Sequence, residues 1–347
     1  MTIHPAGLRP SILVLVAAAL FGSATPVAKA LLESLGPFPL AGFLYLGAAA
    51  AVWPVVMRDG LPGRRLLSRN ALRLSGILLF GGVLAPVLLL WGLTLAAAAS
   101  VALWLTLETL ITVLLAWLFF KEHIHRRAWL SVLLILVASL LLVWPAGFDA
   151  GLAALLVALA CCCWGLDNNL TALIDGLTPA QTTLVKGLAA GTINLSLGSL
   201  TGMGQPSGVA VAAALVLGAL CYGLSLVLYI GGAQQLGSAR AQLLFSTAPF
   251  WGVMLTWTLF SEPVLPAQIA AGTMMLAAIW LLHGERHIHE HTHQAVQHIH
   301  WHRHDDGHHG HTHEGLEPPK GHIHKHIHEP ATHSHPHRPD IQHRHEH

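Results

Sequence analysis

Ten stretches of roughly 20 mainly apolar residues, each about long enough to cross a bilayer, follow one another between residues 11 and 283. Hydrocarbon offers no partner to a backbone N–H or C=O, so each stretch has to satisfy its own backbone as a helix. The fold expected is therefore an all-α integral membrane protein. The stretches run 11–33, 38–57, 71–96, 100–120, 128–144, 151–174, 180–202, 209–236, 240–260 and 264–283. Breaks fall at turn formers: Gly36-Pro37, Gly60 to Gly63, Pro145 to Gly147, Pro179, Gln205-Pro206 and Glu262-Pro263. With 54% hydrophobic and only 10% charged residues and a net charge of +1, the composition excludes an ordinary soluble domain and a basic nucleic-acid-binding surface. The first run is longer than a signal-peptide core and reads as a retained helix. Cys161, Cys162, Cys163 and Cys221 lie inside apolar runs and read as small apolar side chains, not as a disulfide framework.

An internal repeat organises these stretches. Trp104 to Glu122 returns in degenerate form at Leu244 to Glu262, with Trp117 matching Trp257, Phe120 matching Phe260 and Glu122 matching Glu262 at one offset of 140 residues. The first copy holds Glu108 where the second has Ala248. Two units of five helices are expected, residues 1–144 and 145–283, followed by a tail at 284–347. Arg58, Arg64, Arg65, Arg69 and Arg73 fall between stretches two and three, and Lys121, Arg126 and Arg127 between four and five. The positive-inside rule places those loops and both termini in the cytosol, with the loops at Asp149 and Glu262 outside. Because five is odd, the second unit enters the membrane inverted. That is the plan of secondary transporters with a binding site at the repeat interface. Gly187-x-x-x-Gly191 and Gly198-x-x-x-Gly202 suit close packing inside the bundle, and the same spacing permits a homodimer.

The stretch Leu107 to Glu122, the second copy ending Trp257 to Pro263, and the segment Phe21-Gly22-Ser23 to Lys29 resemble the EamA-type transporters of the drug/metabolite transporter superfamily. The resemblance covers about residues 11–283. It implies ten helices in two inverted repeats, a central cavity and transport without enzymatic activity. Two positions depart from the family pattern: Tyr45 stands where many relatives have arginine, and Thr109 replaces the proline kept in the second copy as Pro249.

Ionisable groups at bilayer depth are costly and mark candidate pathways. Glu108 lies mid-stretch, on a face with Trp104, Leu105, Ile111, Thr112 and Leu115, and can meet a cation or exchange a proton. Its bland role is a hydrogen bond to a neighbouring helix. Asp167, Asn168 and Asn169 supply oxygen ligands that either line a polar path or hold helices together. Lys29 and Lys186 lie nearer the ends of their stretches, where a long side chain reaches an interface. His123 and His125 sit in a basic cytosolic loop.

The tail changes character abruptly: 22 of the 26 histidines lie beyond Gly284, among charge, Gly and Pro, and no packed core or fixed structure is expected there. Alternating histidines (His287, His289, His291, His293; His298, His300, His302, His304; His322, His324, His326, His328; His333, His335, His337) point the same way in an extended chain. Imidazole suits nickel, cobalt, zinc and copper, so the tail is expected to bind divalent metal that the fold itself does not require. Binding should fade below roughly pH 6.5 as protons occupy the ligands.

The leading expectation is a multi-pass transporter of the inner or plasma membrane that exports a divalent transition metal, nickel, cobalt or zinc, collected by the cytosolic tail. The alternative is an exporter of amino acids or related metabolites with a metal-sensing tail. A third reading is a membrane-anchored metal store. No Gly-x-x-x-x-Gly-Lys-Ser/Thr motif occurs, so a gradient and not ATP is expected to drive transport.

Overall fold

The computed structural model describes residues 5–120, 126–143, 147–174, 176–201, 206–236, 241 and 244–283, and in the tail 287–293, 296–302, 322–328 and 331–337. The loop histidines His123 and His125, and His304, lie outside the described residues. Helix occupies each of the ten expected apolar stretches. α1 (Pro5–Leu35) and α2 (Pro37–Asp59) are separated by Gly36 alone. Its φ of 69° is a left-handed conformation that glycine adopts without strain. Pro37 then opens α2, where a missing N–H costs nothing.

After the short exposed α3 (Arg64–Arg69), the segments Ala71–Ile77, Leu78–Leu84 and Ala85–Leu95 run on as one rod, α4, with a π-helical turn in the middle. The almost unpunctuated sequence around Ala96 nevertheless turns, because Ala96 and Ala97 are extended. Stretch four is then two helices, α5 (Ala98–Trp104) and α6 (Thr106–Phe120), interrupted at Leu105. α7 (Arg126–Val143) and α8 (Gly147–Ala172) follow. α9 (Pro179–Leu200) starts with a capping box in which Thr178 and Gln181 satisfy each other's backbone. Gly208–Gly218, Ala219–Leu224 and Ser225–Leu236 form a second rod with a π-turn, α10, and α11 (Ala248–Leu259) and α12 (Pro266–His283) complete the bundle.

By length and composition alone, Pro10–Leu35, Pro37–Asp59, Ala71–Leu95, Asp149–Thr171 and Gly208–Gly232 are each able to cross a membrane, and Ala98–Thr112, Trp129–Val143 and Pro266–Leu281 are shorter apolar helices. Large apolar side chains such as Leu72, Leu140, Leu200, Leu259 and Trp280 are exposed around the outside, as a lipid-facing surface requires.

The packing carries the repeat. α2 lies along α9 and α7 along α12; α4 packs on α8 as α1 packs on α10; α6 packs on α8 as α1 packs on α11. Exchanging the first five stretches for the second five maps each of these contacts onto itself or onto its mate. The two π-turns obey the same exchange, ending at Leu84 and Leu224, 140 residues apart like Trp117 and Trp257. Gly187, Gly191 and Gly198 all face α2, against Tyr45, Leu46 and Pro39 respectively, so their spacing is used inside the bundle.

In the tail, β1 (His287–His293) pairs antiparallel with β4 (Ala331–His337), and β2 (Val296–His302) with β3 (His322–His328). These four stretches are extended and paired. The register sets His287 opposite His337, His289 opposite His335 and His291 opposite His333 in one ladder, and His298 opposite His326, His300 opposite His324 and His302 opposite His322 in the other. Strict alternation allows this regular pairing. Isolated two-stranded ladders are marginally stable in water, so they add no packed core.

Candidate transport cavity

Where α1 meets α11, the backbones almost touch: a Cβ added at Gly22 would run into the carbonyl of Ala248. Beside this contact lies a cavity walled by Phe21, Gly22, Ala24 and Thr25 of α1, Leu89 of α4, Ala102, Leu105, Thr106, Glu108 and Thr109 of stretch four, Trp164 of α8, Tyr222 of α10, and Phe245, Ser246, Ala248 and Pro249 near the start of α11. It lies between the two repeats, as the inverted plan requires.

Among the described residues, Glu108 is the only carboxylate in that wall. One of its oxygens accepts a hydrogen bond from Asn168 Nδ2 at 3.0 Å, and the same amide reaches Thr112 Oγ1 at 3.3 Å. Asn168 therefore orients the carboxylate without neutralising it. Asn169, buried, donates to the carbonyls of Thr112 at 3.2 Å and Gly165 at 2.8 Å and so ties α8 to α6. Of the two adjacent asparagines, one serves the cavity and the other the packing.

Asp167 and Lys186 form a second centre, set away from the cavity wall. Lys186 Nζ donates to Asp167 Oδ2 at 2.6 Å, with the side chains 17% and 7% exposed. The carboxylate has room because it lies against Gly81, where any Cβ would collide with it. Gly81 belongs to the π-turn of α4, and such turns leave carbonyls free of the regular helical ladder. Those of Gly81 and Gly82 accept from the Tyr45 hydroxyl and from Asn194 Nδ2. Tyr45, at a departure from the family pattern, thus serves a backbone carbonyl, and its ring lies 6.2 Å from that of Tyr222 in the cavity wall.

Lys29 is paired as well. Its Nζ donates to the carbonyl of Ala96 at 2.7 Å and approaches Glu262 Oε1 at 3.5 Å. Neither lysine presents an uncompensated positive charge to the cavity. Among the described residues the cavity's charge is therefore that of Glu108, and the remaining wall combines aromatic rings and hydroxyls with aliphatic groups such as Leu89, Ala102 and Leu105. Phe21 packs against Tyr222 at 5.6 Å and Phe245 at 5.4 Å between ring centroids, and Trp164 adds an indole. Thr25, Thr106, Thr109 and Ser246 add hydroxyls, of which Thr106 Oγ1 is buried with no hydrogen-bond partner among the described residues.

Such a wall can hold a positive charge at the carboxylate and over ring faces, and an apolar body against the rings. Among the described residues no three His, Cys, Asp or Glu side chains come together in a metal-sized group. Of the residues expected to line a path, Glu108 and Asn168 meet at the cavity. Asp167 and Lys186 pair behind it, Asn169 holds helices, and Lys29 lies toward one end. Trp104, expected on the Glu108 face, is fully buried and directs its indole N–H to Ser139 O at 3.4 Å. The aromatic wall escapes sequence reasoning because its rings come from four separated stretches. Phe21 and Phe245 fall within the family and repeat segments and Trp164 shares a helix face with Asp167, but nothing local brings these rings together with Tyr222.

The EamA-like transporter family matches residues 8–144 and 151–284, one match for each repeat. An "Uncharacterized transporter" of Methanothermobacter thermautotrophicus (strain Delta H) is 23% identical over 290 residues, covering 78% of this chain and 84% of that protein. A solved structure described as "Crystal structure of protein" superposes with a TM-score of 0.58 at 18% identity, covering 79% of this chain and 95% of that one, which shows a shared fold.

Proposed function

The chain belongs to the EamA-like transporter family, and we propose that it is an exporter of small metabolites bearing an amino group, with Glu108 as counter-charge to the ammonium. The observation that carries this reading is the charge pairing. Lys29 and Lys186 are each matched to a carboxylate, and Glu108 alone remains unmatched in an aromatic wall. A fixed cation facing the cavity would have favoured a carboxylate-bearing cargo, and the two pairs remove that argument. Amino acids fit at their ammonium end and in their apolar side chains, and amines without a carboxylate fit better.

Glu108 also suits a coupled cycle. A carboxylate that binds a proton when cargo leaves, and releases it when cargo enters, exchanges one positive charge for another without exposing a bare anion to the bilayer. The charge rule supports cytosolic termini and a cytosolic tail, and export is the direction proposed for the cargo.

A second reading, export of nickel, cobalt or zinc, is favoured by the tail, whose cross-strand histidine register sets imidazole-bearing residues opposite one another on the side from which an exporter draws. Here the tail holds the metal, nickel, cobalt, zinc or copper, and the cavity passes it. The test is uptake into inverted vesicles, with and without a pH gradient, of a labelled amine panel, labelled amino acids, and labelled nickel, cobalt and zinc. The proposal expects amine uptake driven by an acidic interior. Metal uptake without amine uptake establishes the second reading, and flux of neither removes both.

A further inference from the structure

The motif that ends the second repeat, Trp257 to Glu262, serves the fold family as a signature, and here it also ties three parts of the bundle together. Glu262 reaches the N-terminus of α5, where its carboxylate accepts from the backbone N–H of Ala98 at 3.1 Å and approaches that of Ala99 at 3.4 Å. Those N–H groups have no partner inside the helix, and a carboxylate there is favoured by the helix dipole. The same carboxylate pairs with Lys29 of α1, which in turn holds the carbonyl of Ala96. Ser261 delivers Glu262 into this position from a left-handed conformation with φ of 52°, uncommon for a residue with a side chain.

A parallel tie runs beside it. Gln268, 2% exposed, accepts from the Trp257 indole N–H at 3.3 Å and from the Leu265 backbone, and donates to Ser100 Oγ at 3.3 Å. The two ties join α1, the α4–α5 turn, and the α11–α12 connection.

Their location gives them a consequence for transport. Thr25, one helical turn inward from Lys29, and Ala102, one turn inward from Ala98, both line the cavity. The ties therefore lie directly over it, at the end of the bundle opposite the arginine-rich loop of Arg58 to Arg73. Held together, α1, α5 and the α11–α12 connection stand between the cavity and that end of the bundle.

We infer that the Lys29–Glu262–Ala98 clamp is the outer gate, closed in this structure and released each time cargo is delivered outward. The inference rests on the cavity being the transport path, as proposed above, and it is independent of what the cargo is. The clamp suits a gate better than a permanent strut. Lys29 and Glu262 keep 35% and 20% side-chain exposure, so water can take over their hydrogen bonds when the pair parts. Gates of this kind change between two packed arrangements rather than deforming continuously.

The test is thiol accessibility in intact cells, using the full chain and a membrane-impermeant thiol reagent, with the labelled position located by peptide mapping. Thr25→Cys reports the cavity, and Val264→Cys, on an exposed outer residue, reports reagent access. The gate predicts that Thr25→Cys labels slowly in the otherwise unchanged chain and at least tenfold faster when combined with Lys29→Gln or Glu262→Gln, with Val264→Cys labelling unaltered. Should Glu262→Gln fail to fold, Lys29→Gln alone decides, because it leaves the Glu262 contacts to Ala98 and Ala99 in place. Folded Lys29→Gln protein with unchanged Thr25→Cys labelling overturns the gate and leaves a structural tie. Labelling of Thr25→Cys only in inverted vesicles overturns its placement on the outer face. Failure of cargo flux with a positive labelling result sinks the transport reading and leaves the gate standing.

Discussion

Removing one half of the Asp167–Lys186 pair should be far more damaging than removing both. The nitrogen and oxygen are 2.6 Å apart, the two side chains are almost wholly buried, and Gly81 presses the carboxylate from behind, so neither charge can turn to water. Breaking a buried pair by deleting one partner costs about 3–5 kcal/mol, while replacing both by neutral side chains of similar volume is often close to neutral. Asp167→Asn and Lys186→Met are each expected to lower stability by roughly 3 kcal/mol or more. That corresponds to about a hundredfold fall in the folded-to-unfolded ratio at 1.4 kcal/mol per tenfold. The double variant should recover most of the loss. The assay is denaturant unfolding in detergent of the four proteins, analysed as a double-mutant cycle. Flux provides a second readout: Asp167→Asn releases the Lys186 charge near Glu108 and should depress cation transport, which Lys186→Met added to it should restore. A double variant as unstable as the sum of the two single changes would refute the pairing argument. So would full flux in Asp167→Asn alone.

Three further outcomes follow from the geometry. Gly22→Val should fold poorly or not at all, because the new side chain meets the α11 backbone at Ala248, and overpacking of this kind costs about 1–3 kcal/mol or more; monodispersity on size exclusion in detergent checks it. Tyr45→Phe deletes the donor to the Gly81 carbonyl and leaves that acceptor unsatisfied at a cost of about 1–3 kcal/mol, read as lower thermal stability, with cargo selectivity unchanged. Truncation after His283 should abolish nickel and zinc binding measured by calorimetry while leaving amine flux within about twofold, since the tail contributes no described residue to the cavity wall.

Much of the architecture was legible because it is written periodically. Apolar length sets the helices, turn formers punctuate them, and one offset of 140 residues relates Trp117 to Trp257 and, in the structure, the end of one π-turn to the end of the other. Glu108 stands out in the sequence as a mid-span carboxylate, and the structure sets it in the cavity wall with Asn168 of the neighbouring helix α8 as its hydrogen-bond donor. What stayed hidden depends on distance in sequence. Lys29 and Glu262 are 233 residues apart, and no local pattern announces that they pair. Lys186 looked able to snorkel by its position along α9, and its partner on the preceding helix was not apparent, because facing is set by helix rotation and by the absence of a side chain at Gly81. The aromatic wall was hidden for the same reason. In the tail, alternation says nothing of which strand lies opposite which. Glu262, first noticed only as a signature residue, acquires a role through Lys29 and Ala98 that its own segment does not disclose.

The central claim is that Glu108 recognises positive charge on the cargo, and the most direct measurement compares flux of one transported amine with that of its uncharged N-acetyl counterpart in proteoliposomes containing either the unchanged chain or Glu108→Gln. The account predicts that the unchanged chain carries the amine and rejects the N-acetyl form, and that Glu108→Gln loses amine flux by a factor of roughly 10 to 150, the range that corresponds to a charged hydrogen bond of about 1.5–3 kcal/mol. Equal transport of the two compounds by the unchanged chain, or amine flux undiminished in Glu108→Gln, would contradict it.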